Sequence, residues 1–125
     1  MGKRVHVVKS HEKYGSYETF NWQWSEFHLF LNMLGCDVSG EDEYVDRFDC
    51  EVCLFKEALE ALKEYKKKGI KSKKMQALMN ENGFDNEELD ESLEEIGGID
   101  HVIEAMKEFY KESDRKSRYI EFVAW

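Results

Sequence analysis

The chain has 125 residues, 42% of them hydrophobic and 14% aromatic, enough for one core in one domain spanning residues 1–125. Aromatics and Leu/Ile/Val recur at helical and strand spacing, which argues against a disordered chain despite a charged fraction of 36%, and the net charge of −9 opposes nonspecific nucleic-acid binding and an anionic membrane surface. A basic protein partner is the class this balance favours. The bland alternative is that the charge only keeps a small protein soluble.

No apolar stretch approaches the length of a membrane span. The run that starts at Val5 stops at Val8, far short of a secretory leader, and Gly2 lacks the Ser/Thr of a myristoylation site because position 6 is His6. Three cysteines with no evident disulfide framework fit a reducing cytosol, so a cytoplasmic protein is expected.

There is no proline, so turns must come from Gly, Asn, Asp and Ser. Val5 to Val8 is β-branched apart from His6 and predicts a strand. Tyr14-Gly15-Ser16 predicts a turn, with Tyr17 to Phe20 returning as a second strand. Trp24, Phe27, Leu31 and Leu34 recur at helical steps and predict a helix ending at Gly35. Cys36 to Asp49 is polar and acidic and reads as a loop, with one short extended piece at Tyr44-Val45. Asp49 is placed to cap a second helix, whose stripe is Val52, Phe55, Leu59 and Leu62 and whose end is Gly69.

Ser72 predicts the cap of a third helix carrying Met75, Leu78 and Met79, closed by Asn82-Gly83. Asp85 with Glu88 resembles a capping box opening a fourth helix, with Leu89, Leu93 and Ile96 as its narrow apolar edge. Gly97-Gly98 stops it. A fifth helix places Ile99, Val102, Ile103, Met106, Phe109 and Tyr110 on one face. Tyr119 to Trp125 predicts a terminal strand with Ile120, Phe122 and Ala124 on one side. A strand needs a partner for its backbone groups, so the two ends of the chain are expected to pair. The predicted class is α+β: a small sheet from N- and C-terminal strands with four to five helices packed on it.

Charge is segregated along this layout. Seven lysines fall between Lys63 and Lys74, and seven carboxylates, with no base among them, fall between Asp85 and Glu95. The partner-binding candidates are therefore Asp85, Glu87, Glu88, Glu91, Glu94 and Glu95, with Trp22 as an exposed aromatic contact. The simplest role for the lysines is local, lying across from the acidic helix to relieve its repulsion.

Other chemistry has weaker support. Cys50-Glu51-Val52-Cys53 has redox spacing, and a Cys50 in the first turn of a helix would feel its positive end, but Asp49 and Glu51 oppose that effect. Cys36, Cys50, Cys53 and His28 could supply four zinc ligands, although no spacing demands it. The structural alternative puts Cys53 in the core and leaves Cys36 and Cys50 as ordinary thiols. The acidic loop from Asp37 to Asp49 lacks the spacing of a calcium-binding loop, and no glycine-rich phosphate loop or His-Glu-x-x-His motif is present.

The expectation is thus a non-enzymatic acidic binding protein, of inhibitor, immunity or anti-defence type, that meets a basic protein partner without direct nucleic-acid or membrane contact and without a cofactor. A homodimer is compatible with it. The alternatives are a zinc or thiol-redox module at Cys50 and Cys53, and a small enzyme without a recognisable motif.

Overall fold

The computed structural model describes residues 5–9, 13–14, 24–36, 47–113 and 118–124. Its elements in chain order are β1 (Val5–Lys9), β2 (Lys13–Tyr14), α1 (Trp24–Met33), β3 (Arg47–Glu51), α2 (Val52–Lys68), α3 (Lys73–Asn82), α4 (Asn86–Glu95), α5 (Ile99–Glu112) and β4 (Tyr119–Ala124). A single 3-10 turn, Gly69–Lys71, joins α2 to α3. The architecture is α+β. Among the described residues the sheet has four strands in the order β2-β1-β4-β3.

The chain ends do pair. β1 runs antiparallel to β4, with Val5 opposite Ala124 and Val8 opposite Glu121. β4 is therefore central, and its other edge takes β3 antiparallel, with Cys50 opposite Ile120 and Glu51 opposite Tyr119. The expected second strand at Tyr17 to Phe20 lies outside the described residues; the observed partner at that end is β2, two residues long.

β3 is a correction to the sequence reading. Asp49 lies inside a strand and is not the cap residue of α2, which begins at Val52 with Glu51 in that place. The reason is packing. Arg47-Phe48-Asp49-Cys50-Glu51 alternates polar and apolar residues, the period of a strand, and a buried neighbour for Ile120 favours that pairing over an early helix start. The Glu51 side chain makes no cap hydrogen bond. Instead the backbone N–H of Val52 donates to the Arg118 carbonyl at 2.9 Å, and the Glu51 carboxylate receives the Arg118 guanidinium at 3.2 Å.

The core gathers on the side of β4 that carries Ile120 and Phe122, both buried. The Phe122 ring lies 5.8 Å from Phe27 of α1, 5.8 Å from Phe55 of α2 and 5.3 Å from Phe109 of α5. Two of these pairs are edge-to-face, the arrangement the ring quadrupole prefers, and such pairs add about 0.5–1.5 kcal/mol each beyond the area they bury. The predicted stripes supply the rest: Leu31 and Leu34, Leu59 and Leu62, Met75, Leu89 and Leu93, Val102 and Met106 are all buried.

The helix ends match their sequence signals. α1 closes with the Cys36 N–H donating to the Leu31 carbonyl and the Gly35 N–H to Asn32, the double bond of a glycine-terminated helix. Gly83 ends α3 in the left-handed region at φ 71°. The Asp85 carboxylate accepts the Glu88 N–H at 2.9 Å and opens α4. Ser72 accepts the Met75 N–H at 3.2 Å and donates its hydroxyl to the Glu64 carboxylate at 2.8 Å. That same carboxylate accepts the Lys74 N–H, and the two bonds hold the Glu64 carboxyl below its usual range, the Ser72 bond most.

Ser72 is fully buried and serves both partners, so Ser72→Ala is expected to lower stability by about 1 kcal/mol in urea or thermal unfolding. The loss should be smaller at pH 3 than at pH 7. Glu64 contributes above the ordinary carboxyl range, and its share disappears as pH falls through its lowered pKa.

Candidate functional site

α4 turns only a narrow edge inward. Leu89 and Leu93 are buried, and Ile96, just past its end, is fully buried. Apart from Asn86 and Ser92, the remaining circumference is acid. Asp85, Glu87, Glu88, Asp90, Glu91, Glu94 and Glu95 are all exposed. Asp85, Glu87 and Glu88 sit where the positive end of the helix favours them. Glu94 and Glu95 sit in the last turn, where it does not, and that turn has no base. Glu87 with Glu91, Asp90 with Glu94, and Glu91 with Glu95 are like-charged neighbours at four-residue spacing, which disfavours the helix.

The lysines do not answer these acids. Lys66, Lys67, Lys68, Lys71, Lys73 and Lys74 are exposed. Lys66 pairs with Asp100 at the start of α5, and Lys63 pairs with Glu60 on its own helix. Among the described residues no ion pair joins Glu87, Glu88, Glu91 or Glu94 to a base. The expectation that the lysine run lies across from α4 and neutralises it is therefore corrected. The lysines project from the end of α2 and the start of α3, and only Lys66 approaches α4, along a cleft of about 320 Å³ that Tyr65, Lys66, Asp90, Leu93, Glu94 and Gly98 line.

Inside that cleft the Tyr65 hydroxyl donates to Asp90 at 2.8 Å. Burial, reinforced by this bond to a carboxylate, pushes the Tyr65 phenol up to about 12. Tyr65 stands one turn after Leu62, and nothing local in the sequence points to a partner 25 residues away. The bond fixes α4 against α2 while leaving the outward acids free of it.

The thiols are arranged opposite to the expectation. Cys36 and Cys50 are fully buried and Cys53 is exposed. Because Cys50 belongs to β3 and sits opposite Ile120, its side chain goes to the core, and it feels no helix start. Its thiol contacts the Cys36 carbonyl at 3.5 Å; the neighbouring Cys36 thiol, with burial, pushes its pKa strongly upward. Cys53 lies beyond the strand-to-helix corner, hydrogen-bonded to Glu51 at 3.4 Å, a carboxylate that also raises its pKa. The Cys50 and Cys53 spacing is thus split between core and surface. Among the described residues no three His, Cys, Asp or Glu side chains are placed to hold a metal ion. His28 is half-buried on α1. Trp22 and the acidic stretch before Arg47 lie outside the described residues.

The chain matches no protein-family model, no curated protein and no solved structure.

The thiol placement is checked by labelling. Cys53 should react in the native protein, more slowly than a free cysteine because its thiolate is disfavoured, while Cys36 and Cys50 should react only on unfolding. Equal rates for all three would contradict the geometry. Tyrosinate absorbance followed with pH gives a second check. Tyr65 should ionise near pH 12, and the stability held by its raised pKa is present below pH ~10 and falls as pH rises from there through 12. Tyr65→Phe should remove that late step.

Proposed function

We propose that this protein is a non-enzymatic binding protein whose α4 face meets a basic protein partner, in the manner of a small inhibitor, immunity or anti-defence protein. One observation carries the reading. α4 keeps Glu87, Glu88, Glu91 and Glu94 exposed and without an ion-pair partner among the described residues, although like-charge spacing and the acidic last turn both work against the helix. Segregated carboxylates raise the encounter rate with a cationic surface and disfavour anionic ones. Aspartate and glutamate on a rigid helix also suit the planar guanidinium of arginine, which takes two carboxylate oxygens at once.

The rigid presentation fits the same use. Asp85 fixes the start of α4, Tyr65 fixes Asp90, and Leu89 and Leu93 seat the helix on the core. A partner would meet acids whose backbone is already ordered, which reduces the entropy lost on binding.

The test is the combined change of Glu87, Glu88, Glu91 and Glu94 to Gln, used as bait beside the parent protein at low salt. Recovery of a basic partner should fall at least about tenfold, and raising the salt with the parent protein should do the same. The variant should fold with unchanged or higher Tm, because it relieves repulsion. Equal recovery by both proteins would end the reading.

A further inference from the structure

Ile70 is 63% exposed, an unusual place for a large aliphatic side chain at the tip of a helical hairpin. The tip is firmly built. The Gly69 N–H donates to the Tyr65 carbonyl, the Ser72 N–H donates to the Gly69 carbonyl at 3.0 Å, the Gln76 side chain donates to the Ile70 carbonyl, and Glu64 holds Ser72 and the Lys74 N–H. Around Ile70 stand Lys67, Lys68, Lys71 and Lys73, all exposed and in no ion pair among the described residues. The turn therefore holds out one apolar knob inside a collar of positive charge.

The same hairpin carries a slot. One to three helical turns back from the tip, α2 and α3 enclose a groove of about 360 Å³ with Ala61, Ala77 and Leu78 as its apolar floor. Its banks carry Glu57 and Glu60 on α2 and Glu81 on α3, beside Lys56 and Lys74. Glu57 and Glu81 are exposed and take part in no ion pair among the described residues.

We infer that the occupant of this groove is a second copy of the chain: Ile70 of each copy seats in the α2–α3 groove of the other, and its lysine collar meets Glu57, Glu60 and Glu81. Knob and slot lie on one hairpin, offset along its length. Two hairpins packed antiparallel about a two-fold axis place each knob at the other's slot, so the contact is self-complementary and closes at two copies. An anionic membrane or nucleic acid would satisfy the lysines but would be repelled by the glutamate banks and would leave the apolar floor unused. The surface is separate from the outward acids of α4, so this inference and the proposed function stand or fall independently.

Sedimentation velocity from micromolar to near-millimolar protein is the test. The parent should shift from one chain mass to two. Ile70→Asp should weaken the dimer by roughly tenfold or more, as removal of a central anchor does. The double variant Glu57→Lys/Glu81→Lys, with positive knob and positive slot, should stay monomeric, and so should Lys68→Glu/Lys71→Glu, with both negative. Mixing the two double variants restores opposite signs at both contacts, and a mixed dimer should form. All five positions are exposed, so circular dichroism should show the parent's helix content throughout. The change of Glu87, Glu88, Glu91 and Glu94 to Gln should leave the dimer intact.

A parent that remains one chain at every concentration overturns the inference. So does a dimer indifferent to Ile70→Asp, or a mixture of the two double variants that stays monomeric. Monomeric protein that binds phosphatidylserine vesicles and loses them with Ile70→Asp would assign the knob to a lipid surface and also overturn it.

Discussion

The ring of Phe122 is the meeting point of parts of the chain that are far apart in sequence. It stands on the central strand, between the strand from the N-terminal part of the chain and the strand that feeds α2. Rings from α1, α2 and α5 converge on it. Removing so large a fully buried side chain from a close-packed site would cost about 3–5 kcal/mol, a large part of the stability of a domain this size. The helices are positioned by that cluster, and the surfaces they turn outward are set as a result. α2 must present Phe55 and Leu62 inward, so its lysine-rich end projects away from the sheet.

The surface shows what the core leaves open. α4 is held by two leucines, a capping aspartate and one tyrosine bond, the minimum that seats a helix. Apart from Asn86 and Ser92, everything else on it is acid. Elsewhere the molecule does pair its charges: Arg118 with Glu51, Lys66 with Asp100, Lys107 with Glu104. Exposed pairs of this kind contribute little to stability, so their absence at Glu87, Glu88, Glu91 and Glu94 among the described residues is cheap for the fold and consequential for any cation that approaches.

Much of the fold was legible in the sequence because its signals were local. Ser72, Asp85, Gly83 and the glycine pair at 97–98 mark helix ends through bonds to residues within a turn or so, and the apolar stripes repeat every three or four residues. β3 was not legible. Its alternation was short, and three of its five residues are charged, so Asp49 looked like a cap. That one misplacement reversed the reading of the cysteines, because strand phase sends Cys50 inward and the corner sends Cys53 out. For the candidate site, the acids of α4 were found and correctly set on an exposed helix face. What sequence could not supply was distance and exposure: that Tyr65 reaches Asp90, that Lys66 is drawn to Asp100, and that Ile70 stands in water.

β3 runs into α2 with no intervening residue, since Glu51 ends one and Val52 begins the other. A helix of 17 residues is about 25 Å long, so the hairpin tip is the far end of a stiff arm rooted in the sheet's outer edge. Force applied at the tip has leverage on the hydrogen bonds between β3 and β4, and no linker is present to absorb it. A load on the distant end is therefore passed directly to that border strand.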